Sequence, residues 1–119
     1  DFMTRTVVTA DEQSSITDIV KTMGEEHIGS VIITRNENPY GIFTERDLLS
    51  KVLAKGQCLD INASEVASSP LITTPAGNSI HNVAAAMALK HIKRMPVTAE
   101  DQALVGVITA RDLVEAYAR

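Results

Sequence analysis

Two short segments of the chain place a hydroxyl and a carboxylate at the same spacing. Thr44 is followed three residues later by Asp47, and Thr109 is followed three residues later by Asp112. A carboxylate can accept from both hydroxyls of a ribose, while a threonine hydroxyl and helix N-terminal amides can donate to a phosphate or sugar oxygen. The same spacing is typical of a capping box, in which the acid reaches back to a backbone amide. The two uses are compatible at one site.

An arginine stands directly before each of these acids. Arg46 and Arg111 could pair with a phosphate, or they could be solvated charges on the first helical turn. Of the two interpretations, solvated charge is favoured. Both arginines are kept as candidate ligand residues.

The two motifs belong to an internal repeat of the chain. Displaced by 64 residues, the chain matches itself up to Thr34, and displaced by 65 residues it matches itself beyond Gly41. The matches include Ser15-Ile16 with Ser79-Ile80, His27-Ile28 with His91-Ile92, and Arg46-Asp47-Leu48 with Arg111-Asp112-Leu113. We therefore predict two copies of one unit, at residues 1–60 and 61–119, joined by an ordered connection at residues 55–64.

Each copy predicts a short strand, a helix, a hairpin of two strands and a second helix. The predicted first strands are 7–9 and 71–73, the first helices follow the N-caps Ser15 and Ser79, the hairpins are 30–34 with 40–43 and 95–98 with 104–108, and the last helices are 45–54 and 110–118. A strand, helix, strand order demands a right-handed crossover, so both helices should cover one face of a three-stranded sheet. Each copy would leave apolar surface uncovered, and we expect the copies to pack together.

Composition excludes several classes of protein. The chain has 11 Lys+Arg against 15 Asp+Glu, a net charge of -4, which argues against a general nucleic-acid binder. It contains no apolar run of 18 residues, which excludes a membrane-spanning helix. The single cysteine, Cys58, cannot form an internal disulfide, so a cytoplasmic protein is expected. The start at Asp1 leaves open that the chain is trimmed from a longer protein.

The repeat resembles a tandem pair of CBS domains, a family named from cystathionine β-synthase. In that family the repeat ends in glycine, two apolar residues, Ser or Thr, two further residues and Asp, as residues 41–47 and 106–112 do here. The family's strand ending in Pro-Val is matched by Pro96-Val97. The resemblance implies an α+β fold of two β-α-β-β-α repeats packed with pseudo-twofold symmetry, with two clefts between them. It also implies adenosine ligands: AMP, ADP or ATP, and in some members S-adenosylmethionine or NAD.

The resemblance assigns a complete ligand set to the second copy. It implies Thr109 and Asp112 for phosphate and ribose, and Ile92 with the region of Thr74 for adenine. Lys93 and Arg94 are implied for phosphate, because family members often place phosphate-contacting residues before the Met-Pro step.

The first copy matches this set only in part. Thr44, Asp47, Ile28 and the region of Ala10 correspond, but Gly29-Ser30 replaces the basic pair. Two acidic residues, Glu25 and Glu26, precede that position, and Ile32 stands where the second copy has Pro96. We therefore predict unequal sites, with the second preferring a charged nucleotide and the first weaker, empty or suited to a less anionic ligand.

The sequence does not indicate catalysis. No His, Cys, Asp or Glu cluster has metal-ligand spacing, and His27 and His91 are interpreted as helix-end residues. The predicted function is a non-catalytic regulatory module that senses adenine nucleotides and requires no cofactor. The alternatives are a structural or oligomerisation module, forming a homodimer through apolar helix faces, and a regulatory part of a larger enzyme or transporter. No membrane partner is expected, and nucleic acid is an unlikely partner.

Overall fold

A computed structural model describes residues 7–118, so the outer ends of the two predicted repeats lie outside the described residues. The chain divides into two compact units. One unit is Val8–Leu71, and the described part of the other consists of Val7 and residues 72–118. The predicted division after residue 60 stays a prediction, and each unit is described by itself below.

The first unit has the predicted order of elements. They are β1 (Thr9–Asp11), α1 (Ile16–Glu26), β2 (Ser30–Arg35), β3 (Asn38–Thr44) and α2 (Glu45–Asp47), which continues as a π-helix (Leu48–Leu53). The sheet order is β1-β2-β3, with β1 parallel to β2 and β2 antiparallel to β3. This is the topology that a strand, crossover helix and hairpin dictate.

The core of the first unit lies between the sheet and its helices. Helix α1 buries Ile16, Ile19 and Met23, a spacing that puts the three side chains on one helical face. They cluster with Val31, Ile33 and Phe43 of the sheet and with Val52 of the π-helix. Both helical segments therefore pack on the same core, as predicted.

The second unit repeats this arrangement. Its elements are β4 (Thr74–Pro75), α3 (Ile80–Lys90), β5 (Arg94–Thr98), β6 (Leu104–Thr109) and α4 (Ala110–Tyr117). The sheet order is β4-β5-β6. Its core joins Val83 and Met87 of α3, Leu113 of α4, and strand residues Met95, Val97 and Ile108. The α+β class and the two-repeat architecture are confirmed.

Both first strands begin later than predicted. The apolar runs at residues 7–9 and 71–73 suggested strands there, whereas the ladders pair Thr9–Asp11 with β2 and Thr74–Pro75 with β5. Strand position is set by register against the neighbouring strand, and apolar character alone does not determine it. Leu71, for example, donates its amide to the carbonyl of Tyr40 at 3.0 Å, and it belongs to the first unit.

The first hairpin turns more tightly than predicted. Strand β2 ends at Arg35 and β3 begins at Asn38, so only Asn36 and Glu37 form the turn. Both have positive φ, 52° and 67°, as a two-residue type I′ connection requires. The second hairpin keeps the longer loop at residues 99–103, which accounts for the one-residue shift between the copies.

The connection is ordered, as predicted. The carbonyl of Ile61 accepts from the amide of Ile16 at 2.9 Å, and Leu59 and Ile61 pack against the core of the first unit. After a short 3-10 helix (Ala63–Glu65), Ser68 forms two backbone hydrogen bonds with Ile42, of 2.8 and 2.9 Å. The chain between the repeats thereby adds a further edge to the first sheet.

Candidate ligand-binding site

Each predicted Thr and Asp pair caps a helix. The Thr44 hydroxyl accepts from the amide of Asp47 at 3.2 Å, and the Asp47 carboxylate accepts from the amide of Thr44 at 2.9 Å. Thr109 and Asp112 form the same two bonds at 3.1 and 2.9 Å. The capping-box interpretation is therefore confirmed in both repeats. Whether a ligand can also bind depends on the carboxylate acceptor positions that the capping bonds leave free.

Strand pairing brings the predicted basic pair to the second capping box. In the β5–β6 ladder Arg94 lies opposite Thr109, and the amide of Ala110 donates to the carbonyl of Lys93 at 2.8 Å. Lys93 is exposed and Arg94 is half-buried. With Lys90 in the last turn of α3, this edge of the second unit carries three basic side chains.

The corresponding edge of the first unit has no such charge. Ser30 lies opposite Thr44, and the amide of Glu45 donates to the carbonyl of Gly29 at 3.1 Å. Helix α1 has no basic residue in its last turn, which instead carries Glu25 and Glu26. The two edges have the same backbone geometry and opposite electrostatic character.

The two carboxylates also differ in their surroundings. Asp47 is only 6% exposed, and its Oδ1 lies 3.1 Å from the Ser68 hydroxyl and 3.2 Å from the Lys51 ammonium. Asp112 is half-buried. Within residues 7–118 its Oδ2 accepts from Thr109 and its Oδ1 meets no donor. Asp112 therefore keeps acceptor capacity, whereas Asp47 is enclosed.

Two residues beside Asp47, Lys51 and Ser68, were not predicted from the sequence. Lys51 follows Asp47 by four residues, which puts the two side chains on one helical face, and that signal was available. Ser68 lies 21 residues beyond Asp47 and reaches it only through the bridge to β3. No local pattern predicts that contact.

Not every predicted ligand residue lies beside the capping box of its own unit. Ile28 and Ile92 do lie near it, each directly before the residue whose carbonyl caps the helix start. Ala10 lies on β1, paired with Ile33 of β2, and Thr44 lies on β3, paired with Ser30 of β2. Strand β2 therefore lies between them, and a shift of three residues, about 10 Å, separates them along the strand direction. Ala10 lines a cavity of about 200 Å³ with Asp18 and Thr22 of α1.

Thr74 has the corresponding position in the second unit. It pairs with Val97 on the far side of β5 from Thr109. It is buried, and its hydroxyl accepts from the Asn78 side chain at 3.0 Å. The predicted roles of Ala10 and Thr74 in holding adenine stay predictions.

The arginines of the two motifs are exposed. Arg111 pairs with Glu115 one turn along α4, at 3.1 Å, with side chains 77% and 53% exposed. A pair of this kind contributes little to stability because water and salt screen it. Arg46 is likewise exposed. This exposure is what the interpretation as solvated charge expects.

Two of the three histidines each end a helix. His27 and His91 are the C-caps of α1 and α3, each in the left-handed conformation with φ of 56°. The part of the chain that the structure describes contains no group of three His, Cys, Asp or Glu residues able to hold a metal ion. In the same residues no helix combines the length and the apolar character needed to cross a bilayer.

Comparison with known proteins gives one family. The model of the CBS domain matches residues 1–54 and 63–119. A relative from Methanopyrus kandleri, itself uncharacterised, is 33% identical over 113 residues, which are 93% of this chain and 58% of that protein. The chain thus spans little more than half the length of that relative.

Solved structures of other CBS proteins share the fold closely. The hexameric CBS-CP12 protein from bloom-forming cyanobacteria has a TM-score of 0.89 at 30% identity, over 95% of this chain and 64% of that one. A CBS domain protein from Pyrobaculum aerophilum, complexed with AMP, has a TM-score of 0.85 at 26% identity, over 99% of this chain and 96% of that one.

Proposed function

This chain belongs to the CBS domain family as a tandem pair of its domains, a regulatory module, and from that premise we propose that it senses an adenine nucleotide. The second repeat provides the stronger site. AMP, ADP and ATP are the proposed ligands, with S-adenosylmethionine and NAD as further candidates. The module is non-catalytic, requires no cofactor and works in the cytoplasm.

One observation carries this proposal: the second repeat gathers both kinds of group that a nucleotide needs. Asp112 retains an acceptor oxygen within the described residues, and Lys93 and Arg94 lie beside the start of α4. A carboxylate recognises the vicinal hydroxyls of ribose, and basic side chains recognise phosphate. The AMP complex of the Pyrobaculum relative supports the same ligand class.

Regulation follows from differential binding. A nucleotide shifts an equilibrium between conformations or partner states only by binding one of them more tightly. The regulated partner is proposed to be an enzyme, a transporter or another protein, joined to this chain or separate from it. The Methanopyrus relative is longer than this chain, which is compatible with a joined partner.

Isothermal titration calorimetry with AMP, ATP, S-adenosylmethionine and NAD on one preparation tests the proposal. We expect an adenine nucleotide to bind below millimolar concentration, and adenosine, which lacks phosphate, to bind more weakly. If none of the four binds below millimolar concentration, the proposed function is wrong.

A second candidate is a module for self-association. Exposed apolar side chains favour it: Leu49 and Leu53 in the first unit, and Val114 and Tyr117 in the second, are 61%, 52%, 58% and 64% exposed. The cyanobacterial relative is hexameric. Sedimentation equilibrium, with and without AMP, tests this candidate, for which we expect a homodimer. A monomer at every concentration would remove it.

A further inference from the structure

We propose that Lys51 is a built-in occupant of the first repeat's capping carboxylate, and that it gates the ligand site there. While Lys51 holds Asp47, that carboxylate cannot accept from a ribose. The first repeat is then a closed site and the second an open one. This inference rests on the proposed function and adds the residue that makes the two repeats respond differently.

The acceptor capacity of Asp47 is fully used. An ionised carboxylate offers about four acceptor positions. The amide and the hydroxyl of Thr44 take two at Oδ2, at 2.9 and 3.1 Å, and Ser68 and Lys51 take two at Oδ1, at 3.1 and 3.2 Å. Each ribose hydroxyl needs one of these positions, so every hydrogen bond that a ribose makes to Asp47 must displace an internal donor.

The Lys51 ammonium contacts two further acceptors besides Asp47. An ammonium group has three donors. Those of Lys51 reach the Val66 carbonyl at 3.2 Å, the Ser68 hydroxyl at 3.0 Å and Asp47 at 3.2 Å. A ligand that displaced Lys51 would have to leave these three acceptors without their donor or provide another.

The backbone fixes the third member of this group. Ser68 exchanges two backbone hydrogen bonds with Ile42, and its carbonyl lies 2.9 Å from where a Cβ on Gly41 would stand. These contacts with β3 position the backbone of Ser68, so that its hydroxyl can donate to Asp47. We call Asp47, Lys51 and Ser68 the first-repeat clamp.

The second repeat lacks the lysine of this clamp. The position corresponding to Lys51 is Ala116, which has no polar side chain. The substitution Lys51→Ala therefore tests the clamp, because it gives the first repeat the residue that the second repeat has at this position. Lys51→Met is a matched control for the aliphatic stem, because it keeps most of the packing and removes the charge.

AMP titration of the wild type, Lys51→Ala and Lys51→Met tests the gate. We expect one strong site per chain in the wild type and a second one in both variants, tightened about tenfold to hundredfold by release of a charge-assisted bond. Wild-type binding that neither variant changes would overturn the gate and leave the proposed function standing. If the wild type binds none of AMP, ATP, S-adenosylmethionine and NAD, the proposed function fails, and the gate fails with it.

A measurement without nucleotide checks the contact itself. Urea unfolding of Lys51→Ala, Asp47→Asn and the double variant forms a double-mutant cycle. We expect the sum of the midpoint shifts of the two single variants to exceed the midpoint shift of the double variant, because either substitution breaks the same pair. Additive shifts would overturn the clamp, whatever the titration gives. Circular dichroism of each variant verifies that it folds.

Discussion

At the scale of single residues, the capping acids show how one motif can serve two purposes. At the start of α4 the Thr109 hydroxyl accepts from the amide of Asp112, and one Asp112 carboxylate oxygen accepts from the amide of Thr109. The other carboxylate oxygen meets no donor within the described residues. Asp47 caps its helix in the same way, but its second oxygen already accepts from Ser68 and pairs with Lys51. The motif alone therefore does not determine whether a site is open.

Lys93 and Arg94 are expected to contribute charge to nucleotide binding. Replacing both with alanine should weaken AMP binding about tenfold or more, since charge-assisted hydrogen bonds contribute about 1.5–3 kcal/mol each. The matched control is Lys90→Ala, an exposed change in the last turn of α3. Calorimetry at two salt concentrations measures both effects. Equal losses in the double variant and the control would contradict a role specific to the pair.

Tyr40 is expected to tolerate loss of its hydroxyl. That oxygen is buried and has no hydrogen-bond partner among the described residues, while the ring lies 4.1 Å below the Arg35 guanidinium. An unpaired buried hydroxyl is destabilising, so Tyr40→Phe should raise the free energy of unfolding by up to about 1 kcal/mol. Chemical denaturation measures this. A loss of more than about 1 kcal/mol would mean that the hydroxyl has a partner.

At the scale of elements, local patterns predicted most of the fold. Ser15 and Ser79 were identified as N-caps and do cap α1 and α3, because side-chain oxygens satisfy the free amides of a helix start. Ile16, Ile19 and Met23 recur at helical spacing and form the buried face of α1. The first strands were placed too early because their bounds depend on pairing across the sheet. The π-helix following α2 has no signal in the sequence that we identified.

The site could be predicted only in part for the same reason. Both capping pairs and the basic pair are local in sequence, and the structure brings Lys93 and Arg94 to Thr109 as strand pairing requires. Ser68 reaches Asp47 across 21 residues, a tertiary contact that no local spacing specifies. Ala10 was predicted to share a ligand site with Thr44, and its distance from the capping box could not be obtained without the ladder register.

The added edge beside β3 is expected to demand a glycine. A Cβ on Gly41 would meet the Ser68 carbonyl at 2.9 Å, so Gly41→Ala should cost about 1–3 kcal/mol of stability. Gly24, inside α1, is the matched control because nothing lies within 4 Å of its added Cβ. Gly24→Ala should stabilise by about 0.5–1 kcal/mol, as alanine is the better helix former. Thermal unfolding of both variants checks the prediction, which equal effects would contradict.

At the scale of the whole molecule, duplication provides two copies of one scaffold that can diverge. The repeats share topology, caps and core pattern, yet one edge carries a basic pair and the other an acidic helix end. A nucleotide that binds the folded chain also stabilises it, by about 2.7 kcal/mol at a hundredfold excess over its dissociation constant. A regulatory pair with unequal sites would respond to nucleotide mainly through the second repeat.

The most direct test of the central claim is AMP titration of Asp112→Asn and Asp47→Asn beside the wild type. Asparagine keeps an acceptor for the capping amide and removes the charge, so the helix start is preserved in both variants. We expect Asp112→Asn to weaken AMP binding about tenfold to hundredfold, and Asp47→Asn to leave AMP binding within about twofold of the wild type. Wild-type affinity in Asp112→Asn, or an equal loss in both variants, would contradict the account.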